Sequence, residues 1–329
     1  MADVIHTQVR DQLVERRNRL TDARGHAHEG QRVEKLLAEI DSALLRLDEG
    51  TFGLCKICND PIETDRLIAD PLLEYCLDHL TVPQQRALQE DLNLAARIQA
   101  ALLPPRKLRS HGWEVAYHYE GAGPVSGDYC DLVAAEDGIH FVVGDVMGKG
   151  VAASMLSTHL HATFRALVAM GLSLEELVSR ASRAFCESTL PTHFATIVYG
   201  RADAHGVIQV CNAGHHQPLI VRRDEVVPIE PTGFPLGLFC DESFTTATYG
   251  SRAGDVLMLY TDGLAEATDP SGVEYGTDRL VESMRRAAGE DPTGLIAACI
   301  ADYRGFLRGR PHEDDLTLMA LRRVSESGA

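Results

Sequence analysis

The sequence predicts an α+β protein whose larger part is a layered sandwich. From Trp113 onward, short runs rich in β-branched and aromatic residues follow one another. Helical segments interrupt them in pairs, at about 151–169 with 173–188 and at about 277–288 with 293–307. Strands in bursts with helices in pairs favour packed layers over an alternating wound sheet. The strand-like runs are WEVAYHYE, YCDLVAAE, IHFVVGD, FATIVYGRA, VIQVCNAG, PLIVRR, VVPIE, FTTATYG, VLMLYTDG and LTLMALRRV.

The composition is that of a chain with a sizeable core, and its 329 residues suggest two domains. No apolar run reaches about 18 residues, so no membrane span is expected. The charged N-terminus, MADVIHTQVRDQLVERR, lacks the apolar region of a secretory signal. Apart from one cluster, the cysteines stand singly, which fits a reducing cytoplasm. A net charge of −17 argues against broad nucleic-acid binding, which needs basic surface.

Residues 1–49 predict a helical hairpin. An earlier helix covers roughly residues 4–20, and the polar, glycine-containing stretch TDARGHAHEG follows it as the tip. A second helix carries apolar residues at alternating spacings of four and three, which form a seam along one face. The alternative is one long interrupted coiled coil. The seam residues are Val33, Leu37, Ile40, Leu44 and Leu47.

Residues 50–80 contain two pairs of candidate metal ligands. Cys55 and Cys58 form C-x2-C, and Cys76 and His79 form C-x2-H further along the chain. Two short ligand pairs at such a separation suit one tetrahedral Zn²⁺ with four protein ligands, which is a structural site. We expect this short segment, poor in apolar residues, to need the metal in order to fold.

The N-terminal part, about residues 1–80, resembles the DksA/TraR family, whose members have a helical hairpin followed by a zinc finger. The phrase GTFGLC before the first ligand pair is typical of that family. The resemblance implies the fold and the zinc ion. Family members that act on RNA polymerase carry acidic residues at the hairpin tip, where this chain offers only Asp22 as an obvious candidate. RNA polymerase binding is therefore not carried over.

Residues 81–105 predict a linker helix between the domains. Pro83 suits a helix start, and Pro104 with Pro105 ends the helix. Its apolar stripe could pack on its own domain or on its twin in a homodimer.

Acidic residues stand beside glycines or at the ends of strand-like runs. The stretch FVVGDVMGKGVAA predicts a buried strand that delivers Asp145 to a glycine-rich turn. Asp128, Asp262 and the pair Asp314–Asp315 have similar settings. Any one of them alone would more often cap its own turn. Together they predict convergent carboxylates around hard ions such as Mg²⁺ or Mn²⁺, a site suited to metal-assisted hydrolysis of a phosphate ester.

About residues 90–324 resemble the SpoIIE/RsbU branch of the metal-dependent (type 2C) serine/threonine protein phosphatases. The motifs that carry the resemblance are AARIQAALLPP, SGDYCDLV, VVGDVMGKGVAASM, NAGHHQPLIV, PLGLF, LMLYTDGLAEA and DDLTLMAL. It implies a four-layer α-β-β-α sandwich, which we assign to residues 106–324 as a type 2C-like phosphatase domain, with a tail at 325–329.

The same resemblance implies roles for individual residues. Asp145 would bridge two Mn²⁺ or Mg²⁺ ions, helped by the carbonyl oxygen of Val146, and Asp128 and Asp262 would be further ligands. Asp314 resembles the last ligand, although Asp315 could take its place. A metal-activated water would attack the phosphorus directly. Lys149 is expected to be a solvated surface residue, and His215 a structural turn histidine.

The expected substrate is a phosphorylated anti-anti-sigma (STAS-type) protein, dephosphorylated in the cytoplasm. In this branch an N-terminal sensor commonly switches the phosphatase through the linker helix, often in a dimer, so the hairpin and zinc finger are expected to regulate activity. The alternative function is a non-catalytic DksA/TraR-like transcription regulator that binds RNA polymerase. A zinc-dependent nucleic-acid binder is a third possibility.

Overall fold

The structure, a computed structural model, divides into two compact units, Met1–Asp91 and Leu92–Ala329. The residues it describes are 9–10, 13–14, 17–18, 21, 30–80, 82–190, 192–222 and 225–324. Within these ranges, no helix combines the length and the apolar character that crossing a bilayer requires. The predicted boundaries of the domains remain predictions.

The first unit contains two antiparallel helical segments. Helix α1 (Gly30–Asp48) buries Ile40, Ala43 and Leu44 against Val9 and Leu13, which belong to the earlier helical residues. Two ion pairs show that these segments run in opposite directions. Arg10, the earlier arginine, pairs with the later aspartate, and Arg17 pairs with the earlier one. Arg10 lies 2.6 Å from Asp48, and Arg17 lies 3.4 Å from Asp41. The predicted tip, with Asp22, lies outside the described residues.

Two short helical elements and one long helix follow. Helix α2 spans Thr64–Ala69, a single 3₁₀ turn spans Leu77–His79, and helix α3 spans Val82–Leu102. The boundary between the two units falls within α3. In the second unit Gln99 is buried, and its side-chain amide exchanges two hydrogen bonds with the backbone of Ser126, at 2.7 and 3.0 Å.

The second unit is built on two antiparallel sheets. In chain order the strands are β1 Lys107–Ser110, β2 Trp113–Glu120, β3 Asp128–Ala135, β4 Gly138–Val146, β5 Ala195–Ala202, β6 Val207–Ala213, β7 Leu219–Arg222, β8 Glu225–Pro228, β9 Ala247–Gly250, β10 Val256–Tyr260 and β11 Leu316–Arg323. One sheet has the order β1-β2-β11-β10-β7-β8, and the other has the order β3-β4-β5-β6-β9. Every strand pair is antiparallel.

The sheets pack face to face, and helices cover both outer faces. Trp113, Phe141 and Leu257 belong to the core between the sheets. Helices α4 (Gly150–Val168) and α5 (Leu174–Ser188) pack on the five-stranded sheet. After the short helix α6 (Asp262–Ala265), helices α7 (Gly276–Arg286) and α8 (Pro292–Leu307) pack on the six-stranded sheet. The predicted four-layer α-β-β-α sandwich is confirmed.

Two features differ from the sequence-based expectation. Strand β1, with only four residues and alternating exposure, was too short to be predicted and pairs at the sheet edge with β2. Cys186 and Cys240, expected to be single thiols, form a disulfide that ties the loop after β8 to helix α5. They are 54 residues apart, so only the tertiary fold brings them together.

Candidate functional site

Two of the predicted acidic residues face each other across neighbouring strands. Asp128 begins β3, Asp145 stands near the end of β4, and the antiparallel register pairs them directly. Asp145 then leads into the turn before α4, where Gly148 and Gly150 have φ values of 101° and 75°. These left-handed conformations favour glycine and let the chain reverse sharply beside the carboxylates.

Asp128 is a buried carboxylate with one uncommitted oxygen. Its side chain is 1% exposed, and its Oδ2 accepts hydrogen bonds from the hydroxyls of Thr261 and Thr317. Among the described residues, its Oδ1 has no hydrogen-bond partner. Burial raises the pKa of Asp128, and the nearby charge of Asp145 raises it further. An unpaired buried carboxylate oxygen is costly, and a cation would remove that cost.

Three of the other predicted aspartates line one cleft of about 1040 Å³. Asp145 comes from the end of β4, Asp262 from the first position of α6, and Asp314 from the loop before β11. Burial and the charges of Asp262 and Asp314, together with that of Asp315, raise the pKa of Asp145 to about 7. Burial and Asp314 likewise raise the pKa of Asp262. These carboxylates repel one another unless a cation lies among them.

The donor set fits hard divalent cations. All of its side-chain ligands are carboxylates, which suits Mg²⁺ or Mn²⁺. The carbonyl oxygen of Val146 lies beside the carboxylate of Asp145: a Cβ at Gly127 would meet these two oxygens at 3.2 and 3.4 Å. The Cβ of Ala153, at 3.3 Å, also borders this gap above Gly127, so it is lined by two oxygen atoms and one methyl group. Asp128, Asp145, Val146, Asp262 and Asp314 would therefore hold the ions.

Asp314 and Asp315 have different surroundings. Asp315 is buried, and its two carboxylate oxygens accept hydrogen bonds from the backbone N–H groups of Ala122, at 2.8 Å, and Gly127, at 2.7 Å. Asp314 lines the cleft, where its Oδ2 lies 2.9 Å from Lys149 Nζ. The surroundings favour Asp314 over Asp315 as the ligand, and Lys149 is a cleft residue, not only a solvated lysine.

His215 also lines the cleft, but its ring is held as a neutral structural group. Nε2 donates to the carbonyl oxygen of Tyr260, at 3.2 Å, and Nδ1 accepts from the hydroxyl of Thr196, at 2.9 Å. Burial, followed by the neighbouring His216, lowers the pKa of His215 to about 3. A ring with both nitrogens engaged and this low pKa is a poor acceptor for a substrate proton.

The predicted zinc ligands lie together in the first unit. The ligand atoms of Cys55, Cys58, Cys76 and His79 all lie within 4.8 Å of one another, a compactness that the aspartates of the cleft do not share. The Cys58 and Cys76 sulfurs are 3.8 Å apart, and Cys76 Sγ is 3.2 Å from His79 Nδ1. Burial raises the pKa of Cys55, but N–H groups of Cys58 and Cys76 more than offset this and lower it to about 6. The Cys55 thiolate, the form that binds zinc, is thus favoured. Despite a hydrogen bond from the backbone of Asp60, burial and hydrogen bonds with Cys55 and Cys76 raise the pKa of Cys58 to about 12.

Sequence reasoning missed several residues in the cleft and behind it. Thr261 and Thr317, which orient Asp128, gave no separate signal, although Thr261 directly precedes Asp262. Arg285 and Val281 on α7 also line the cleft. The sequence marks α7 as amphipathic, but it does not say what its polar side faces.

Known proteins resemble the chain in both fold and sequence. The Stage II sporulation protein E (SpoIIE) family model matches residues 135–324, more than half of the chain. Phosphoserine phosphatase RsbU of Bacillus subtilis is 22% identical over 245 residues, covering 73% of this chain and 72% of that protein. Protein IcfG of Synechocystis is 25% identical over 71% of this chain, which spans only 41% of that relative's length.

A solved structure and a further relative also resemble parts of this chain. The structure of the RsbU and RsbW domains of Rv1364c from Mycobacterium tuberculosis superposes with a TM-score of 0.59 and 28% identity, covering 69% of this chain and 64% of that one. The RNA polymerase-binding transcription factor DksA of Haemophilus influenzae is 36% identical over 58 residues, which are 18% of this chain and 40% of that protein. From the extent of the family match, supported by the shared sandwich, this chain belongs to the SpoIIE family of type 2C-like phosphatase domains.

Proposed function

We propose that this protein is a metal-dependent serine/threonine protein phosphatase. The observation that carries the proposal is the meeting of Asp145, Asp262 and Asp314 in one cleft, beside the buried Asp128. Membership of the SpoIIE family and similarity to the phosphoserine phosphatase RsbU support it. A pair of bound Mn²⁺ or Mg²⁺ ions supplies a water of lowered pKa and a clamp for phosphoryl oxygens.

The chain's own residues hold and shape this site. Asp145 and the Val146 carbonyl would hold the ions, and Asp262 and Asp314, which reach the cleft from other segments, would be further ligands. The hydroxyls of Thr261 and Thr317 fix the orientation of Asp128. His215 keeps the cleft wall in place through its two ring hydrogen bonds. Cations held by these aspartates would stabilise the charge on the phosphate ester.

The basic test is hydrolysis of p-nitrophenyl phosphate and of a phosphoserine peptide with Mn²⁺ present. We expect Asp145→Ala to lower kcat/KM by at least about 100-fold, since a principal ligand of both ions is lost. Circular dichroism and thermal melting of the variant control for its fold. A wild-type protein that is inert with Mn²⁺ and with Mg²⁺ would rule the activity out.

The proposed physiological substrate is a phosphorylated anti-anti-sigma protein of the STAS type, acted on in the cytoplasm. The similarity to RsbU supports this substrate class. The sequence resembles the SpoIIE/RsbU branch, and that resemblance implies a substrate of this kind. A purified phospho-STAS protein should lose its phosphate at a rate that saturates with its concentration. Phosphate that stays on the STAS protein while p-nitrophenyl phosphate is hydrolysed would exclude this substrate and leave the phosphatase activity standing.

We further propose that the N-terminal unit, with one structural Zn²⁺, regulates the phosphatase through α3. We expect about one zinc per chain by elemental analysis. Cys58→Ser should lower that content, because a tetrahedral site with three remaining ligands binds zinc less tightly. Full zinc retention in this variant would contradict the assigned ligand set.

A second candidate function is binding of RNA polymerase by the first unit. The zinc-type cluster and the similarity to DksA favour it. Co-sedimentation of the full chain with purified RNA polymerase core enzyme tests it. Tight binding by a protein that has no phosphatase activity would make this the principal function.

A further inference from the structure

The cleft is larger than the acidic site needs. Its volume of about 1040 Å³ extends past the aspartates to a wall formed by helix α7 and the β7–β8 hairpin. On α7 the cleft residues Thr277, Val281 and Arg285 are spaced four apart, which places them along one helix face. A phosphorylated side chain would occupy only the end with the aspartates. The remainder has room for the polypeptide on either side of it.

The second wall of this extension is apolar. Leu219, Val226 and Pro228 of the β7–β8 hairpin line it, and Val281 of α7 belongs to the same apolar cluster as Leu219 and Val226. Pockets that take polypeptide commonly combine apolar lining with a few placed polar groups. Here the polar groups on α7 are Thr277, Asp278 and Arg285.

Arg285 is the cation of this cleft that remains available. Lys149 already pairs with Asp314, and its ammonium group also donates to the Glu313 carbonyl oxygen at 3.0 Å. His215 is neutral, and His216 lies 3.8 Å from Glu266. Within the part of the chain that the structure describes, Arg285 is exposed and has neither an ion pair nor a side-chain hydrogen bond.

The neighbours of Arg285 on the same helix show the contrast. Arg286 forms an ion pair with Asp302, and the guanidinium of Arg279 lies 4.8 Å above the ring of Phe306. These two arginines hold α7 against α8. Arg285 points to the cleft instead and makes no such contact, so its guanidinium can accept a ligand without a loss of packing.

We propose that Arg285 determines substrate specificity by binding a carboxylate in the polypeptide that flanks the phosphorylated residue. This proposal rests on the phosphatase function proposed above. A guanidinium offers a planar pair of N–H donors that match a carboxylate. Asp278, on the same wall, lies seven residues earlier, about 10 Å along the helix, and repels acidic groups at that end. The preference should therefore be strongest at one position on one side of the phosphorylated residue.

The experiment compares phosphoserine peptides that differ only in one flanking residue. Each position from four before to four after the phosphoserine carries Glu, Ala or Lys in turn. For the full-length wild type with Mn²⁺, we expect kcat/KM at the preferred position to be about 5-fold higher with Glu than with Ala. Arg285→Gln should remove this ratio, and Arg285→Glu should invert it in favour of Lys.

Arg109→Glu is the matched control. Arg109 lies exposed on β1, undergoes the same change of charge and does not line the cleft. It should keep the wild-type ratio between Glu and Lys peptides. An Arg285→Glu variant that also keeps the wild-type ratio would overturn the proposal, as would a wild type that shows no preference at any position. Failure of the wild type to hydrolyse both the peptides and p-nitrophenyl phosphate would instead overturn the phosphatase function.

Discussion

Two neighbouring aspartates have opposite relations to the protein around them. Asp315 is bound into the structure by two backbone N–H groups from the segment before β3, whereas Asp314 faces the cleft and its negative neighbours. Asp315 is therefore structural. Asp314 accepts a hydrogen bond from the backbone N–H of Asp315 and lies 2.9 Å from Lys149 Nζ, but its carboxylate remains in the cleft, where it can bind a metal ion. Their identical side chains make them a matched pair for substitution.

We expect Asp315→Asn to lower the free energy of unfolding by about 1–3 kcal/mol, because an amide nitrogen cannot accept one of the two backbone hydrogen bonds. Asp314→Asn should change stability in metal-free buffer by less than about 1 kcal/mol, since the loss of the ion pair with Lys149 offsets the repulsion that is removed, and should lower Mn²⁺-dependent activity by at least about 100-fold. Urea unfolding and p-nitrophenyl phosphate assays measure both effects. The reverse pattern would show that Asp315 is the ligand.

His215 should make stability depend on pH. The folded state holds this ring neutral down to pH of about 3, whereas the unfolded chain protonates it near its ordinary pKa of about 6.5. The unfolded state therefore binds more protons between these values, and stability present above pH 6.5 is lost as pH falls.

At pH 5 the loss should be about 2 kcal/mol relative to pH 7.5. Urea unfolding of the wild type and of His215→Asn at both pH values gives the test, since the difference between the two proteins isolates this residue. The wild type should lose stability relative to the variant on acidification. Parallel pH profiles for the two proteins would contradict a buried neutral ring.

At the scale of elements, the site depends on a close approach between α6 and the start of β11. A Cβ on Gly263 would lie 2.0 Å from the carbonyl oxygen of Asp315, which no real contact allows. Only glycine therefore lets α6 hold Asp262 beside the segment that carries Asp314. This junction links the fold to the cleft.

We expect Gly263→Ala to separate these segments, to destabilise the protein by about 1–3 kcal/mol and to remove most activity. Gly305→Ala is the control, because Gly305 lies in α8 with open space around its Cβ position. That change should stabilise the protein by about 0.5–1 kcal/mol and keep activity. Thermal melting and p-nitrophenyl phosphate turnover of both variants measure the contrast. A fully active Gly263→Ala protein would show that the approach is not needed.

At the scale of the whole molecule, α3 presents an apolar stripe to solvent. Leu94 and Ile98, four residues apart on one face of α3, are 53% and 54% exposed, which is high for large apolar side chains on a helix. The sequence left open whether this stripe packs on its own domain or on a twin helix. Its exposure favours the twin, and we propose a homodimer that pairs two copies of α3.

Sedimentation velocity should show a wild-type dimer that Leu94→Glu with Ile98→Glu dissociates, because two charges would be buried in the pairing face. Leu45→Glu is the control, since Leu45 is 56% exposed on α1. Metal content at the acidic site should not change, whereas phosphoprotein turnover should change if α3 carries regulation. A monomeric wild type would exclude the dimer, and unchanged turnover in the dissociated variant would exclude regulation by this route.

Much of this protein is determined by local sequence pattern. Runs rich in β-branched and aromatic residues predicted the strands, several of which are buried on both faces of the layered sandwich, and the paired helices follow from the longer period. Glycines beside Asp145 and Asp262 marked the acids that end up in the cleft. The spacing of Cys55, Cys58, Cys76 and His79 was sufficient to predict a shared site, since each pair is close along the chain.

The tertiary structure alone decided the features that join distant segments. The two carboxylates of Asp314 and Asp315 are alike in sequence, and only the N–H groups of Ala122 and Gly127, nearly 200 residues earlier, distinguish them. Only the tertiary structure likewise decided that Cys186 and Cys240 form a disulfide and that Arg285 lines the cleft. Local patterns report a residue's neighbours along the chain. Contacts across the sheets depend on how the layers pack, which no short stretch of sequence records.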